Sequence, residues 1–429
     1  MNTIDTSESH ALSLDAADSL AVFRERFLLP PGKIYLNGNS LGAASKDSLA
    51  SVQRVIAEWR RLGIGGWMGG DPPWISFAEK VGAMAAELVG ARADEVVATG
   101  TTTLNIHSLV STFFQQQPRR RKILADELTF PTALYALQGQ VRMKGLDPGE
   151  HLLLARSADG RTLDEDGIAA LMGEDVAVAL LPSVLYRSAQ LLDMGYLTRA
   201  AHKKGIVIGF DCVHSVGAVP HDFTAMDPDF AVWCSYKHLN AGPGSTAFLY
   251  LNRRHFDEPP LLCGWFGYEK ERQFDLETDF SHQRSAGGWQ VSSPSILAIA
   301  AAEGALKIVL EAGIERIRAK SLGLTSYLIG LVDALLADPP YSFRVASPRE
   351  PERRGGHIAL ERDEEAMRVS EALKGMGVVV DFRGPATIRI APAPLYNTYH
   401  EVWRVVRCLK EIIDRGLYEG QARSRKAVP

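Results

Sequence analysis

Between residues 95 and 251 the chain sets out seven short apolar runs that do not alternate with polar residues. They are EVVAT (95–99), KILAD (122–126), HLLLA (151–155), VAVALLP (176–182), GIVIGFD (205–211), FAVWCS (230–235) and TAFLYL (246–251). A strand with one wet face alternates apolar and polar residues. Unbroken runs of this length therefore mark strands covered on both faces by helices. Amphipathic stretches separate the runs, among them TALYALQGQVRM (132–143) and LTRAAHKKG (197–205), which stops on a glycine. The pattern predicts an α/β fold built on a large, mostly parallel seven-stranded sheet, doubly wound with right-handed crossovers.

The flanks differ from this middle. SKDSLASVQRVIAEWRRLG (45–63) has a serine cap, apolar residues at 49, 52, 55, 56 and 59, and a closing glycine, which predicts a helix. Residues 294–337 are rich in alanine and leucine and predict long helices. Beyond them FRVA, HIALE, VVVDF and TIRIA alternate with helical stretches near 364–376 and 398–415, which predicts a smaller α/β domain. We expect a large domain over 46–300 and a small one made from 1–45 plus 301–429.

Composition narrows the function classes. Hydrophobic residues make up 46% of the 429 and charged residues 23%, which excludes a disordered or collagen-like chain. The formal charge is 47 − 51 = −4, too mild for a nucleic-acid or anionic-membrane partner. The four cysteines (212, 234, 263, 408) form no C-x-x-C pair and no zinc spacing, so no metal site is expected. The acidic N-terminal stretch meets its first basic residue at Arg24, without the basic start of a secretory signal. No run of about 18 apolar residues offers a membrane span. These features predict a cytoplasmic enzyme acting on a small molecule.

The chemistry concentrates in two segments, IGFDCVHSVGAVPHD (208–222) and DFAVWCSYKHLNAGPG (229–244). Asp211 directly follows one predicted strand. Lys237 lies 26 positions on, just past another, before a Gly-Pro-Gly turn. Ligands of open α/β sheets bind outside the carboxyl ends of strands. An acid and a lysine at two such ends suit pyridoxal phosphate. A lysine of lowered pKa condenses with its aldehyde, and the acid keeps its pyridine nitrogen protonated. His214, three residues after Asp211, is within reach of the same ring. Upstream, Thr99-Gly100-Thr101-Thr102-Thr103 joins a strand to a helix and offers a phosphate seat, although threonines there also serve as ordinary caps.

The sequence resembles the kynureninases, fold-type I pyridoxal phosphate enzymes in the branch shared with class V aminotransferases and cysteine desulfurases. The likeness is carried by YLNGNSLG (35–42), LNIH (104–107), FPT-x-LY (130–135), FDCVHSVGAVP (210–220), WCSYKHLNAGPG (233–244), GWFG (264–267) and IRIAPAPLYNTYHEV (388–402). It implies Lys237 as the lysine that binds the cofactor aldehyde and Asp211 as the partner of the pyridine nitrogen. Phe130 would stack on the ring with His214 beside it. Thr102, Thr103 and Tyr236 would hold the phosphate, with Trp265 contributed by a neighbouring subunit. Arg389 would clamp the substrate α-carboxylate, and Trp67 and Ser293 would line the pocket for its aromatic end. Tyr236 would also relay a proton. A homodimer with shared active sites is implied.

Three departures stand out. Ala133 occupies the position where the family carries Asp in the FPT segment. Leu185-Tyr186-Arg187-Ser188-Ala189-Gln190 replaces Asn-x-x-Thr-Gly-Gln, and Ser293 stands where animal enzymes have Asn and bacterial ones often Thr. The resemblance implies hydrolysis of the β–γ carbon–carbon bond of L-kynurenine or 3-hydroxykynurenine to L-alanine and an anthranilate. The departures leave room for a related pyridoxal phosphate lyase or transferase of specialised metabolism that takes another β-substituted amino acid.

Overall fold

The computed structural model describes residues 4–115 and 119–422. Its central sheet contains the seven expected strands: β1 (Val96–Ala98), β2 (Lys122–Asp126), β3 (Leu152–Ala155), β4 (Val176–Pro182), β5 (Val207–Asp211), β6 (Phe230–Cys234) and β7 (Ala247–Leu251). Their order across the sheet is β1-β7-β6-β5-β4-β2-β3. The five middle-to-edge strands β6, β5, β4, β2 and β3 pair in parallel, while β7 runs antiparallel to both β6 and β1. Every residue of β4, β6 and β7 is buried, which is why these runs carry no polar alternation. The chain crosses from β3 over β2 to reach β4, so the order reverses between β2 and β4. That reversal opens a crevice at the strands' carboxyl ends, where Asp126, Asp211 and the segment after Cys234 lie.

Helices cover both faces. The ones used below are α1 (Lys46–Leu62), α2 (Thr102–Phe113), α3 (Pro131–Met143), α4 (Ile296–Ala312), α5 (Ile314–Leu335) and α6 (Tyr399–Asp414). Ser45 caps α1 by accepting from Ser48 N–H at 3.0 Å, and Gly63 ends it with φ +56°. The buried face of α1 is not its apolar stripe. Ser48, Ser51, Val55 and Glu58 are buried against the protein, whereas Leu49, Ile56 and Trp59 are exposed. Small serines are needed there because α4 approaches closely: a Cβ at Gly304 would lie 2.4 Å from the Asp47 carbonyl.

A second sheet contains β8 (Arg344–Val345), β9 (Ile358–Glu361), β10 (Asp381–Arg383) and β11 (Thr387–Ile390), antiparallel in the order β8-β9-β11-β10. Ile34–Tyr35 pairs in parallel with Val378–Val379 beside it. Buried apolar residues form two main clusters. One extends from Leu20 to Ile317 and takes in Leu395 and Tyr396. The other joins Ala11, Ile34 and Leu36 to residues between Leu324 and Ile412. Among the described residues no helix is long and apolar enough to cross a membrane.

Candidate active site

Three sequence motifs meet at the lysine. After β6, Ser235-Tyr236-Lys237 turns back through Asn240, whose N–H donates to the Lys237 carbonyl at 3.0 Å and whose φ is +62°. The 35–42 segment lies directly against this turn, with Gly42 N–H donating to the Tyr236 carbonyl at 2.7 Å. A Cβ at Gly42 would meet the Lys237 carbonyl at 2.4 Å, so only glycine allows this approach. The third motif joins through Ala391 N–H, which donates to the Leu36 carbonyl at 2.9 Å.

Lys237 Nζ lies 3.0 Å from His214 Nε2. Burial lowers the lysine's pKa, and the charges of Arg389 and Arg383 act in the same direction against Cys234 and Asp211. His214 is driven well below its ordinary value by burial first and by Lys237 next, so it is a neutral imidazole. Two further imidazoles surround it, with ring centres 6.3 Å away for His238 and 5.8 Å for His357. Both are also held neutral by burial, His238 at about 3. The pocket around the lysine thus favours uncharged bases.

Asp211 ends β5, and its Oδ1 accepts the Val213 N–H at 3.0 Å. Burial raises its pKa, against the pull of that hydrogen bond and of Lys237. The Tyr236 hydroxyl is raised as well, by burial and then by Cys234. At the start of α2, Thr101 caps the helix by accepting from Leu104 N–H at 3.3 Å. The Thr102 hydroxyl oxygen is buried with no partner among the described residues. Thr103 Oγ1 lies 3.1 Å from Thr132 Oγ1, tying this turn to the start of α3. Phe130 holds the cap position of α3, ahead of Pro131, with its ring 5.2 Å from that of Tyr186 at 85°.

Arg389 on β11 is 2% exposed. Its Nε donates to Asp381 Oδ1 at 2.7 Å, its Nη1 to the Tyr186 carbonyl at 2.8 Å, and its Nη2 to Ser40 Oγ at 2.8 Å and to Asp381 Oδ2. Four of its five N–H groups are therefore used, which fixes the fork and leaves one donor. Arg383 shares Asp381 at 2.7 Å. Ladder register sets Asp381 opposite Arg389 and Arg383 opposite Thr387.

Three further expected site residues, Trp67, Trp265 and Ser293, have surroundings of their own. Trp67 packs against Trp74 and Phe266, at 6.1 and 5.6 Å between ring centres. Trp265 is half exposed, its Nε1 donating to the Gln273 carbonyl at 3.2 Å and its ring edge-on to Phe266. Ser293 is exposed and rims a cavity of about 300 Å³ with Thr101, Leu104 and Trp289. Of the departures, Ala133 and Leu185 are buried in the main apolar cluster, and Ala189 holds φ +64° with no glycine to ease it.

Sequence reasoning passed over Ser40, Tyr186, Asp381, Arg383, His238 and His357. Asp381 carried a usable signal, because it follows the apolar run Val378–Val380 as Asp211 follows its own run.

A family model described as the kynureninase C-terminal domain matches residues 317–409. A kynureninase of Geobacillus thermodenitrificans is 50% identical over 418 residues, 97% of this chain and 97% of the relative. One of Bacillus cereus is 49% identical over 419 residues, 98% of this chain and 97% of its own. Among solved structures, an apo cysteine desulfurase of Thermococcus onnurineus superposes with a TM-score of 0.78. It is 17% identical and covers 92% of this chain and 98% of its own. A C-DES mutant with glycine covalently linked to its PLP cofactor also gives 0.78, at 15% identity over 90% and 98% of the two chains. These likenesses establish the fold-type I architecture.

Proposed function

The chain belongs to the kynureninase family, and from that premise we propose a role for each residue gathered around Lys237. The reaction is hydrolysis of the β–γ carbon–carbon bond of L-kynurenine, which consumes one water and releases L-alanine and anthranilate, with pyridoxal phosphate as cofactor. When bound, that cofactor supplies an electron sink for charge released at the substrate α-carbon. The residues present fit it. The unpartnered Thr102 hydroxyl at a helix start suits a phosphate, and a buried amine of lowered pKa suits an aldehyde.

Burial lowers the Lys237 pKa and so eases its amine toward the nucleophilic form, after which the same amine moves the α-proton. His214, neutral and 3.0 Å away, fixes the direction of that amine. With the cofactor bound, Asp211 would partner the pyridine nitrogen, Phe130 would cover the ring, and Thr102, Thr103 and Tyr236 would hold the phosphate. Because burial raises the Tyr236 pKa, its hydroxyl stays protonated near neutrality and gives a proton rather than taking one. Arg389 offers its remaining N–H to the α-carboxylate along a direction set by Asp381 and Ser40. Trp67 and Ser293 would line the space for the aromatic end, and Trp265 would reach the phosphate held by a second subunit. The exposed apolar face of α1 supports a homodimer, and four free thiols support a cytoplasmic setting.

The observation that carries this reading is the buried Lys237 amine, its pKa lowered, held 3.0 Å from neutral His214 and one strand from Asp211. The test is anthranilate release by the cofactor-loaded protein from L-kynurenine and, separately, from 3-hydroxykynurenine. We expect turnover that Lys237→Ala abolishes. Cofactor-loaded protein that turns over neither compound would overturn the reading.

A further inference from the structure

Asp126 ends β2 as Asp211 ends β5, on the far side of β4 and at the same edge of the sheet. It is fully buried. Its Oδ1 accepts the Leu128 N–H at 2.8 Å, whereas its Oδ2 is buried with no partner among the described residues. The charged groups that bear on it are Asp211 from β5 and Glu127 from its own segment. Glu127 is engaged elsewhere, by Arg156 and by Ser157 N–H, each at 2.7 Å. Among the described residues the charges that weigh on Asp126 are both negative, whereas Asp211 has Lys237 in its field.

A buried carboxylate oxygen without a donor is costly when ionised, and the cost is removed by taking up a proton. Two buried acids at the ends of β2 and β5, with only β4 between them, do not both ionise cheaply, so the proton goes to the one without a cation in its field. Burial, with Asp211 adding to it, pushes Asp126 up to about 7 despite the Leu128 and Thr129 N–H groups.

We propose that Asp126 is a positioning residue of the cofactor site, a carboxylic acid kept neutral so that Asp211 is the ionised member of this buried pair of acids. The proton sits on Oδ2, and Oδ1 keeps the turn that leads to Phe130. This rests on the reading of Asp211 as the partner of the pyridine nitrogen. Asn at 126 copies the neutral form and retains the acceptor for Leu128, so it should act as the rescuing substitution. Above neutrality the natural residue ionises, and a second buried negative charge then opposes an anionic cofactor.

The experiment uses the full chain stripped of cofactor. Infrared difference spectra should contain a protonated-carboxyl band at about pH 6 that fades as pH rises through about 7, and Asp126→Asn should lack it. Dissociation constants for pyridoxal phosphate should agree for the natural protein and Asp126→Asn at about pH 6. By about pH 9 the natural protein should bind roughly three- to tenfold more weakly than Asp126→Asn. Asp211→Asn serves as the control arm. It should weaken binding at both pH values and shift the nitrogen resonance of ¹⁵N-pyridine-labelled cofactor toward the unprotonated form. If Asp211→Asn behaves so but the band persists in Asp126→Asn, or the ratio of constants is flat with pH, the Asp126 proposal alone falls. An unchanged ¹⁵N resonance in Asp211→Asn defeats the Asp211 reading and this proposal together.

Discussion

Asp381 is fully buried and accepts from Arg389, Arg383 and Ser40. Burial alone would raise its pKa. The guanidinium of Arg389, then Arg383 and the Ser40 hydroxyl, outweigh that and bring it to about 2. A carboxylate depressed in the folded state contributes stability that is present above its ordinary value near 3.8 and lost as pH falls through about 2. The contribution is about 2 kcal/mol. Removing the charge leaves two arginines on one sheet face without their counter-ion. Asp381→Asn should cost roughly 3–5 kcal/mol in urea unfolding and raise KM for L-kynurenine more than it lowers kcat. A variant with normal KM would show that the Arg389 fork is held by Ser40 and Tyr186 instead. Asp381 and Asp211 share one signal, an acid closing an apolar run. Yet only Asp211 stood out in the sequence, because a histidine follows it within the same motif and a lysine follows at the next strand end. The partner of Asp381 is eight positions away across a turn, and only the strand register brings the two together. Residues whose role depends on the ladder are hidden in this way from a linear reading.

At the scale of elements the decisive contact is between α1 and α4, where Gly304 lies against the backbone of Asp47 and Ser48. Alanine is a better helix former than glycine by about 1 kcal/mol, which would favour Gly304→Ala in isolation. Against that, its Cβ would fall 2.4 Å from the Asp47 carbonyl oxygen and 2.6 Å from the Ser48 Cα, and backbone cannot turn aside as a flexible side chain can. Overpacking of this kind costs about 1–3 kcal/mol, so the steric cost should win. Thermal melts of Gly304→Ala should shift down by several degrees, and a rise would mean that α1 moves freely. The sheet strands were legible to within a residue or two because burial on both faces leaves each run a single pattern. VAVALLP and KILAD match Val176–Pro182 and Lys122–Asp126 end for end. The existence and ends of α1 were equally legible from Ser45 and Gly63. Its orientation was not, since an apolar stripe indicates a covered face without saying which body covers it. Here Leu49, Ile56 and Trp59 point away from the chain's own core.

The exposed stripe on α1 and the scattered aromatic site residues become one question at the scale of the whole molecule. Trp265 and Ser293 were expected beside the cofactor. In a single chain Trp265 is half exposed and packs on Phe266 and Phe274, and Ser293, just before α4, is exposed at the rim of a cavity it shares with Thr101. Such residues serve catalysis if a second copy receives them, and an isologous pair would cover the α1 stripe in the same step. Mixing experiments separate this from a purely local role. Lys237→Ala lacks the amine proposed to meet the cofactor, and Trp265→Ala, if Trp265 acts across the interface, spoils only the partner's site. A mixed dimer then contains one intact site, with Lys237 from one chain and Trp265 from the other. Random reassortment of equal amounts makes half of the dimers mixed, so one site in four is restored. The mixture of two inactive proteins should therefore recover about a quarter of natural kynurenine turnover after unfolding and joint refolding. If Trp265 serves its own chain's site, every chain with Lys237 still lacks its tryptophan and the mixture stays inactive. Activity that rises to about a quarter thus requires both the dimer and the exchange of Trp265, whereas no recovery removes the exchange even if the protein sediments as a dimer.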